Sequence, residues 1–448
     1  MNARVIAAIA SLCMAGSLMT ACGDSSEDDI QENLLFSELS GTEDTEPSDG
    51  EETGPANGGE NVPSEAATEK RRGKGDGLSI KTEPSTEMQT ASVPERPGDA
   101  DEVTIDPTDV IGMSASGITQ ILGDYDVESD EIVGYYYIHN EAKMPGVTFH
   151  FIDHTWDDMW EGGNFPTDRY EELRRRISAS RAVVTKINCR EALIDQFRTG
   201  MSYRKCAEII GDFPVSGSDN GVTFCGCPLS LAYYYLHGSR NCVVALHFEL
   251  KGELDRALNE GRLTTGKSYD VMPADMKKYD PVLQNIEIIY APDRTDTSAE
   301  LTASSQLGDI NSGGKSYNYD PKNLVDGDMT TCWCEDREDV GIGESFRYSS
   351  SGSRDISFVT IYGGLRSNPE AFYKNCRPSK INISSDGFNT EYVLQTYYSN
   401  NYIRALPVSC IKKAEFTFTV SDVDSDSVKY KDTCISEIRF NGYNPSIQ

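Results

Sequence analysis

The sequence predicts a multidomain chain: an α+β domain built from two tandem repeats, then an all-β sandwich, both carried behind a disordered N-terminal tether. Three observations predict it. First, Gly-Met-Ser, a short amphipathic stretch, Gly-Asp and two strand-like runs occur twice between residues 110 and 292. Second, from Ala303 onward many short β-type runs are broken by Gly, Ser, Asn and Pro. Third, residues 23–109 hold 24 acidic and 6 basic side chains with no apolar period. Such a segment cannot bury enough surface to offset its ordering entropy.

The N-terminal segment reads as an address. Arg4 precedes an apolar run over residues 5–18, which fits a signal h-region and is too short to span a membrane comfortably. Leu18-Met19-Thr20-Ala21-Cys22 resembles a bacterial lipobox, with small residues before a thiol that would be lipidated after cleavage. The expectation is a signal peptide over 1–21, a lipidated Cys22 and a bacterial extracytoplasmic protein anchored to the cell membrane by lipid. Ordinary secretion with an incidental cysteine is the alternative. Residues 22–109 form the disordered acidic linker, spanning roughly 50 Å as a coil and more when like charges extend it.

Of the net charge of -31, -18 belongs to residues 23–109. The folded remainder is modestly acidic, which excludes a phosphate-backbone binder with a positive surface. The low hydrophobic fraction of 38% likewise reflects the linker.

The α+β domain is placed at 110–294. Gly112-Met113-Ser114 and Gly200-Met201-Ser202 each precede a helix. Ser114 and Ser202 are N-cap candidates, Ile118, Ile121 and Leu122 or Cys206, Ile209 and Ile210 the apolar stripe, and Gly123 and Gly211 the stops. Tyr135-Tyr136-Tyr137-Ile138-His139 matches Tyr233-Tyr234-Tyr235-Leu236-His237, and Val147-Thr148-Phe149-His150-Phe151 matches Val244-Ala245-Leu246-His247-Phe248. Residues 181–189 and 282–290 read as further strands. Side chains alternate along a strand, so if Tyr136, Ile138, Phe149 and Phe151 face the helices, Tyr135, Tyr137 and His139 face away. By the letter match Tyr233, Tyr235 and His237 do the same. This face is either a protein- or glycan-docking surface or a surface covered by a loop or the other domain. The repeat faintly resembles the β-lactamase-inhibitor-protein fold, with a helix pair and a sheet per unit. All five histidines lie in this domain, but no spacing demands a metal. Repeat-related histidines read more simply as inherited surface residues. Trp156 and Trp160 are either core anchors or an exposed pair.

The last 145 residues carry a more specific pattern. Ala303-Ser304-Ser305, Tyr319-Asp320-Pro321-Lys322-Asn323-Leu324-Val325-Asp326-Gly327-Asp328 and Thr331-Cys332-Trp333 come first. Gly341-Ile342-Gly343-Glu344, Asn375-Cys376-Arg377-Pro378 and Asp432-Thr433-Cys434-Ile435-Ser436-Glu437-Ile438 follow in order. Together they resemble the discoidin-type galactose-binding jelly roll, in the variant named for the translocation domain of NAD glycohydrolase, over 300–445. The resemblance implies a sugar-binding or adhesion module, not the glycohydrolase. It points to Trp333, Glu335, Glu344, Asn375 and Arg377 as glycan-binding candidates, although these side chains also serve to hold loops or core. It also points to Asn323, Asp326, Asp328, Thr331 and Glu437 as a structural calcium site, since hard cations prefer oxygen. The bland reading is that these carboxylates only cap turns. Where relatives carry Asn-Gly-Tyr, this chain has Gly363-Gly364-Leu365. The stretch Tyr397-Tyr398-Ser399-Asn400-Asn401-Tyr402 is placed to compensate.

Without Cys13 and Cys22, five cysteines fall in each domain, so either a bridge joins the domains or each keeps a free thiol. Cys225-Gly226-Cys227 and Cys332-Trp333-Cys334 are weak zinc candidates. No nucleophile elbow, zinc-protease pattern or phosphate loop is present. The expected function is therefore a non-catalytic lipoprotein that binds an envelope or cell-surface glycan through its C-terminal domain. The alternatives are a protein-binding or inhibitory role of the repeats, and an unrecognised glycan-active enzyme in the middle domain.

Overall fold

The computed structural model describes residues 103–443 except 130–133, 155, 160–166, 217–230, 239–240, 264–269, 313–314, 354, 400 and 411–412. The signal stretch, the lipobox with Cys22, the linker up to residue 102, Trp160, Cys225 and Cys227 lie outside the described residues. Apart from residues 312 and 315, every described residue belongs to one compact unit.

Folding begins earlier than the sequence boundary of 110. Ile105 is buried, its N–H donates to the Leu193 carbonyl, and Leu193 donates back to Val103. A first short helix, α1 (Pro107–Val110), is capped by the Asp106 carboxylate. The first repeat then runs α2 (Ala115–Leu122), β1 (Asp126–Ser129), β2 (Tyr135–His139), β3 (Val147–Ile152), α3 (Tyr170–Ala179) and β4 (Lys186–Cys189). The second runs α4 (Tyr203–Ile210), β5 (Val215–Ser216), β6 (Leu231–His237), β7 (Cys242–Phe248), α5 (Gly252–Asn259), β8 (Asp270–Val271), α6 (Pro273–Tyr279) and β9 (Leu283–Tyr290). Ser114 and Ser202 accept the N3 amide protons of α2 and α4. Gly123 and Gly211 close these helices at φ of 71° and 92°, where a Cβ would be strained. Ile118 and Leu122 are buried, whereas Ile121 is 39% exposed and lies off the packed stripe.

One nine-stranded sheet, in the order β1-β2-β3-β4-β9-β7-β6-β5-β8, joins the repeats. Its centre pairs β4 with β9 antiparallel, with Asn188 opposite Glu287. These two residues occupy equivalent places in the two repeats, so the pseudo-twofold axis of the sheet passes through them.

The register corrects the letter match. Tyr136 lies opposite Phe151, and Leu231 lies opposite Phe248. Phe151 corresponds to Phe248, so Tyr136 corresponds to Leu231 rather than Tyr234. The two tyrosine runs are out of structural register by three residues, an odd slip that reverses which side chains face the core. Tyr136 and Ile138 are core in the first repeat, as expected, but Tyr233 and Tyr235 are core in the second, each 1% exposed. Trp156 is core as well.

The C-terminal domain packs two antiparallel sheets face to face. One follows the order β10 (Glu300–Ala303), β14 (Ser345–Ser353), β19 (Lys413–Asp424), β16 (Arg377–Ser385), β17 (Phe388–Val393). The other follows β13 (Trp333–Cys334), β20 (Cys434–Asn441), β15 (Ile356–Gly363), β18 (Ala405–Cys410). A small pair, β11 (Ile310–Ser312) with β12 (Lys315–Tyr317), and the helix α7 (Pro369–Lys374) complete it. Alternating Phe346, Tyr348, Phe416, Phe418 and Phe440 fill the space between the sheets, with Phe346 stacked on Phe418 at 4.7 Å. A Cys334–Cys434 disulfide ties β13 to β20, while Cys332 and Cys376 here and Cys189, Cys206 and Cys242 in the repeats are buried free thiols. The described bridge thus lies within the sandwich.

The domains share a buried interface. Ala232, Tyr234, Leu236, Val243 and Ala245, on the outer face of β6 and β7, form one apolar cluster with Phe358 and Ala405. Beside it, Arg404 makes a bidentate ion pair with Asp270, at 2.6 and 2.9 Å, and donates to Ser216 at 3.1 Å. Arg404 and Asp270 are 4% and 1% exposed.

Candidate functional site

Four of the five side chains proposed for glycan contact, Trp333, Glu335, Asn375 and Arg377, are buried and held inside the sandwich, while Glu344 is half-buried. Trp333 is fully buried, packs on Phe346 and donates its indole N–H to the Ser305 carbonyl at 3.0 Å. Glu335 is fully buried and accepts the Thr433 amide proton at 3.0 Å. Glu344 accepts from the hydroxyls of Ser304 and Ser305 and so pins the 303–305 segment to the start of β14. Asn375 donates to the Ala371 carbonyl at 2.8 Å. Arg377 spans the Phe372 and Asn375 carbonyls and the Asp424 carboxylate. The family-like residues maintain the fold, because a polar group inside a sandwich must find its partners there.

Glu335 carries a pH signature. Burial is the main cause that lifts its pKa to about 7, and burial also raises that of Asp432. A carboxyl raised above its ordinary 4.5 is without penalty below that value and loses stability as pH rises through about 7. The melting temperature is expected to fall between pH 5 and pH 8. Glu335→Gln should flatten this dependence, measured by thermal unfolding across that range, whereas an equal slope in both proteins would contradict the assignment.

The residues considered for calcium form a hydrogen-bonded turn. Asp326 accepts the Asp328 amide proton at 2.8 Å, and Asp328 accepts both amide and hydroxyl of Thr330. The Thr331 hydroxyl sits 2.8 Å from Asp326, and Glu437 accepts the Gly327 amide proton at 3.2 Å. Asn323 donates its side-chain amide to Asn318 and the Cys332 carbonyl. Among the described residues, the only three His, Cys, Asp or Glu side chains with ligand atoms gathered within 4.8 Å are Cys332, Cys334 and Cys434. Asp326, Asp328 and Glu437 therefore do not converge as a preformed carboxylate cage.

The docking face divides. In the first repeat Tyr135, Tyr137 and His139 are half-buried on the outer face, and Tyr137 and His139 both bond Glu128. In the second repeat Tyr233 and Tyr235 point inward, and the sandwich covers the outer face. The histidines are not uniformly surface residues: His247 is buried and bonds Glu287 at 3.0 Å, and Glu287 also pairs with Lys186. His237, at the end of β6, is half-buried, with its side chain 14% exposed.

His237 opens onto a cleft of about 670 Å³ between the two domains. One wall is Asp195, Leu236, His237 and Gly238. The other is Met329, Tyr362, Arg366, Tyr398, Asn401, Tyr402, Ile403 and Arg439. Tyr362 ends β15, Arg439 lies on β20, and Tyr398 to Ile403 come from the segment before β18. Met329 follows the Asp326-Gly327-Asp328 turn. The Leu236 amide donates to the Ile403 carbonyl at 3.1 Å and holds the walls together. Asp195 has a left-handed φ of 52° and accepts from Tyr235 at 2.7 Å and from His237 at 3.1 Å. Burial pushes the Asp195 pKa up, but these two bonds outweigh it and hold it low, while the same Asp195 bond raises that of His237.

The tyrosine-rich stretch reaches the cleft through Tyr398, Asn401 and Tyr402. Tyr362, Arg366 and Arg439 were missed. The signal for Arg439 was there: it is a lone cation in β20, a strand buried at every position.

Compared with known proteins, the chain matches no curated protein. Among solved structures it is similar to the family 32 carbohydrate-binding module of Clostridium perfringens NanJ in complex with galactose, at 18% identity, 33% of this chain, 97% of that chain and a TM-score of 0.24. It is also similar to such a module of AlyQ in complex with 4,5-unsaturated mannuronic acid, at 16% identity, 32% and 92% coverage and a TM-score of 0.22. Another module, from Clostridium perfringens and in complex with glcNAc-alpha-1,4-galactose, gives 12% identity, 34% and 94% coverage and a TM-score of 0.22. Residues 293–441 match the family described as the NAD glycohydrolase translocation F5/8 type C domain, so the C-terminal sandwich is a discoidin-like domain of that type.

Proposed function

We propose that this chain is a non-catalytic surface lipoprotein that binds carbohydrate in the cleft at the Tyr362, Tyr398 and Arg439 end of its discoidin-like domain. The observation that carries the reading is the cleft's composition. Tyrosine rings offer faces to the C–H side of a sugar, while guanidinium, amide and carboxylate groups answer its hydroxyls. The lining includes no Ser, Thr, Cys or Lys side chain. The lipobox supports membrane anchorage through Cys22, with the acidic linker as spacer on the outer side of a bacterial membrane.

A glycan array probed with the full-length protein in detergent tests the binding. Tyr398→Ala is expected to weaken the best ligand about tenfold, the value of one stacked ring. No binding to any glycan, with and without calcium, would overturn the reading. For the anchor, labelled palmitate should enter the wild type and not Cys22→Ser; equal labelling refutes it.

A further inference from the structure

The cleft holds two buried cations and too few anions to match them. Arg439 is 4% exposed, with its guanidinium 5.1 Å over the Tyr362 ring. Among the described residues its Nε has no hydrogen-bond partner, and it lies 3.7 Å from the Glu437 carboxylate. Arg366 is 5% exposed, and among the described residues its guanidinium donates only to the carbonyls of Gly363 and Ser399. It rests against the rings of Phe372, Tyr362 and Tyr398 and has no ion-pair partner among the described residues. Of the nearby anions, Asp195 answers His237, and Glu437 is shared between Arg439 and the Gly327 amide. A charge kept out of water is normally matched by a partner of opposite sign. Here the open side of both guanidiniums is the cleft itself.

We infer that the cleft selects carbohydrates that carry a carboxylate, uronic or sialic acids, with the carboxylate against Arg439 and Arg366 and the sugar ring beside Tyr398. This rests on the reading that the cleft binds glycan. A guanidinium presents paired donors in a plane that fits a carboxylate better than any single hydroxyl. Neutral sugars would leave the positive charge unanswered.

The test is calorimetric titration of the full-length protein with glucuronate, galacturonate and N-acetylneuraminate oligosaccharides against neutral glucose and galactose counterparts, at 50 and 300 mM salt. The acidic sugars are expected to bind about tenfold tighter or more at low salt, with the gap narrowing at high salt. Arg439→Gln should abolish the preference while keeping weak binding of neutral sugar, and Arg439→Lys should keep part of it. If neutral sugars bind as tightly as acidic ones, the glycan reading stands and this inference fails. If no sugar of either set binds, both fail. Should Arg439→Gln not fold by circular dichroism, the acidic-to-neutral ratio and its salt dependence in the wild type still decide.

Discussion

Asp270→Ala is expected to destabilise the protein by about 3–5 kcal/mol, the cost of leaving one partner of a buried ion pair alone. The carboxylate of Asp270 is held at three points. It takes both donors of Arg404, it accepts the Val393 amide proton at 3.0 Å, and it accepts the Ser216 hydroxyl at 3.0 Å. Removing it strands a guanidinium that is 4% exposed, with the Val393 carbonyl and Ser216 as its remaining partners. The partners sit on different domains, β8 of the repeats and the residue before β18. The loss therefore falls on the interface that also forms the cleft. Urea unfolding measures the effect, and a loss under about 1 kcal/mol would show that the pair is not the clamp between domains. The apolar double replacement Asp270→Leu with Arg404→Met should recover at least half the loss, because it removes both charges at similar volume. Recovery should be incomplete, since the Val393 amide then has no acceptor. Glycan affinity should fall in Asp270→Ala together with stability, because Ile403, next to Arg404, forms part of the cleft wall.

Much of the architecture was legible in the sequence because it rests on local chemistry. Ser114 and Ser202 cap their helices, Gly123 and Gly211 stop them, and alternation set the strands of both domains. The equivalence of Tyr135-Tyr136-Tyr137 with Tyr233-Tyr234-Tyr235 was not legible. Letters carry no register, and the hydrogen-bonded pairing of Leu231 with Phe248 decided which tyrosines turn inward. The cleft was hidden for a related reason. Asp195, His237, Arg366, Tyr398 and Arg439 are scattered over 245 positions and meet only because the sandwich packs on the outer face of β6 and β7. The linked misreading of Trp333, Glu335, Asn375 and Arg377 came from the opposite cause. Those residues make up recognisable family motifs, and here the motifs hold loops and core together.

Trp333→Ala separates these two roles. As a core residue, Trp333 is expected to cost about 3–5 kcal/mol when truncated, from the cavity left beside Phe346 and the lost transfer of a large ring. The Ser305 carbonyl also loses its donor. Trp333→Phe keeps most of the volume and removes the indole N–H, so it should cost only about 1–2 kcal/mol. For a domain of this size Trp333→Ala corresponds to a fall of roughly 10 °C in Tm, read by calorimetry alongside titration with the best glycan. The expected pattern is a large loss of stability, with the affinity of the remaining folded protein at low temperature close to wild type. The reverse pattern, an unchanged Tm with binding abolished, would return Trp333 to the sugar and move the site away from the cleft. Tyr398 supplies the opposite case. Its ring is half-exposed at the cleft, so Tyr398→Ala should weaken glycan binding at little cost in Tm, and the two variants together assign core and site within one domain.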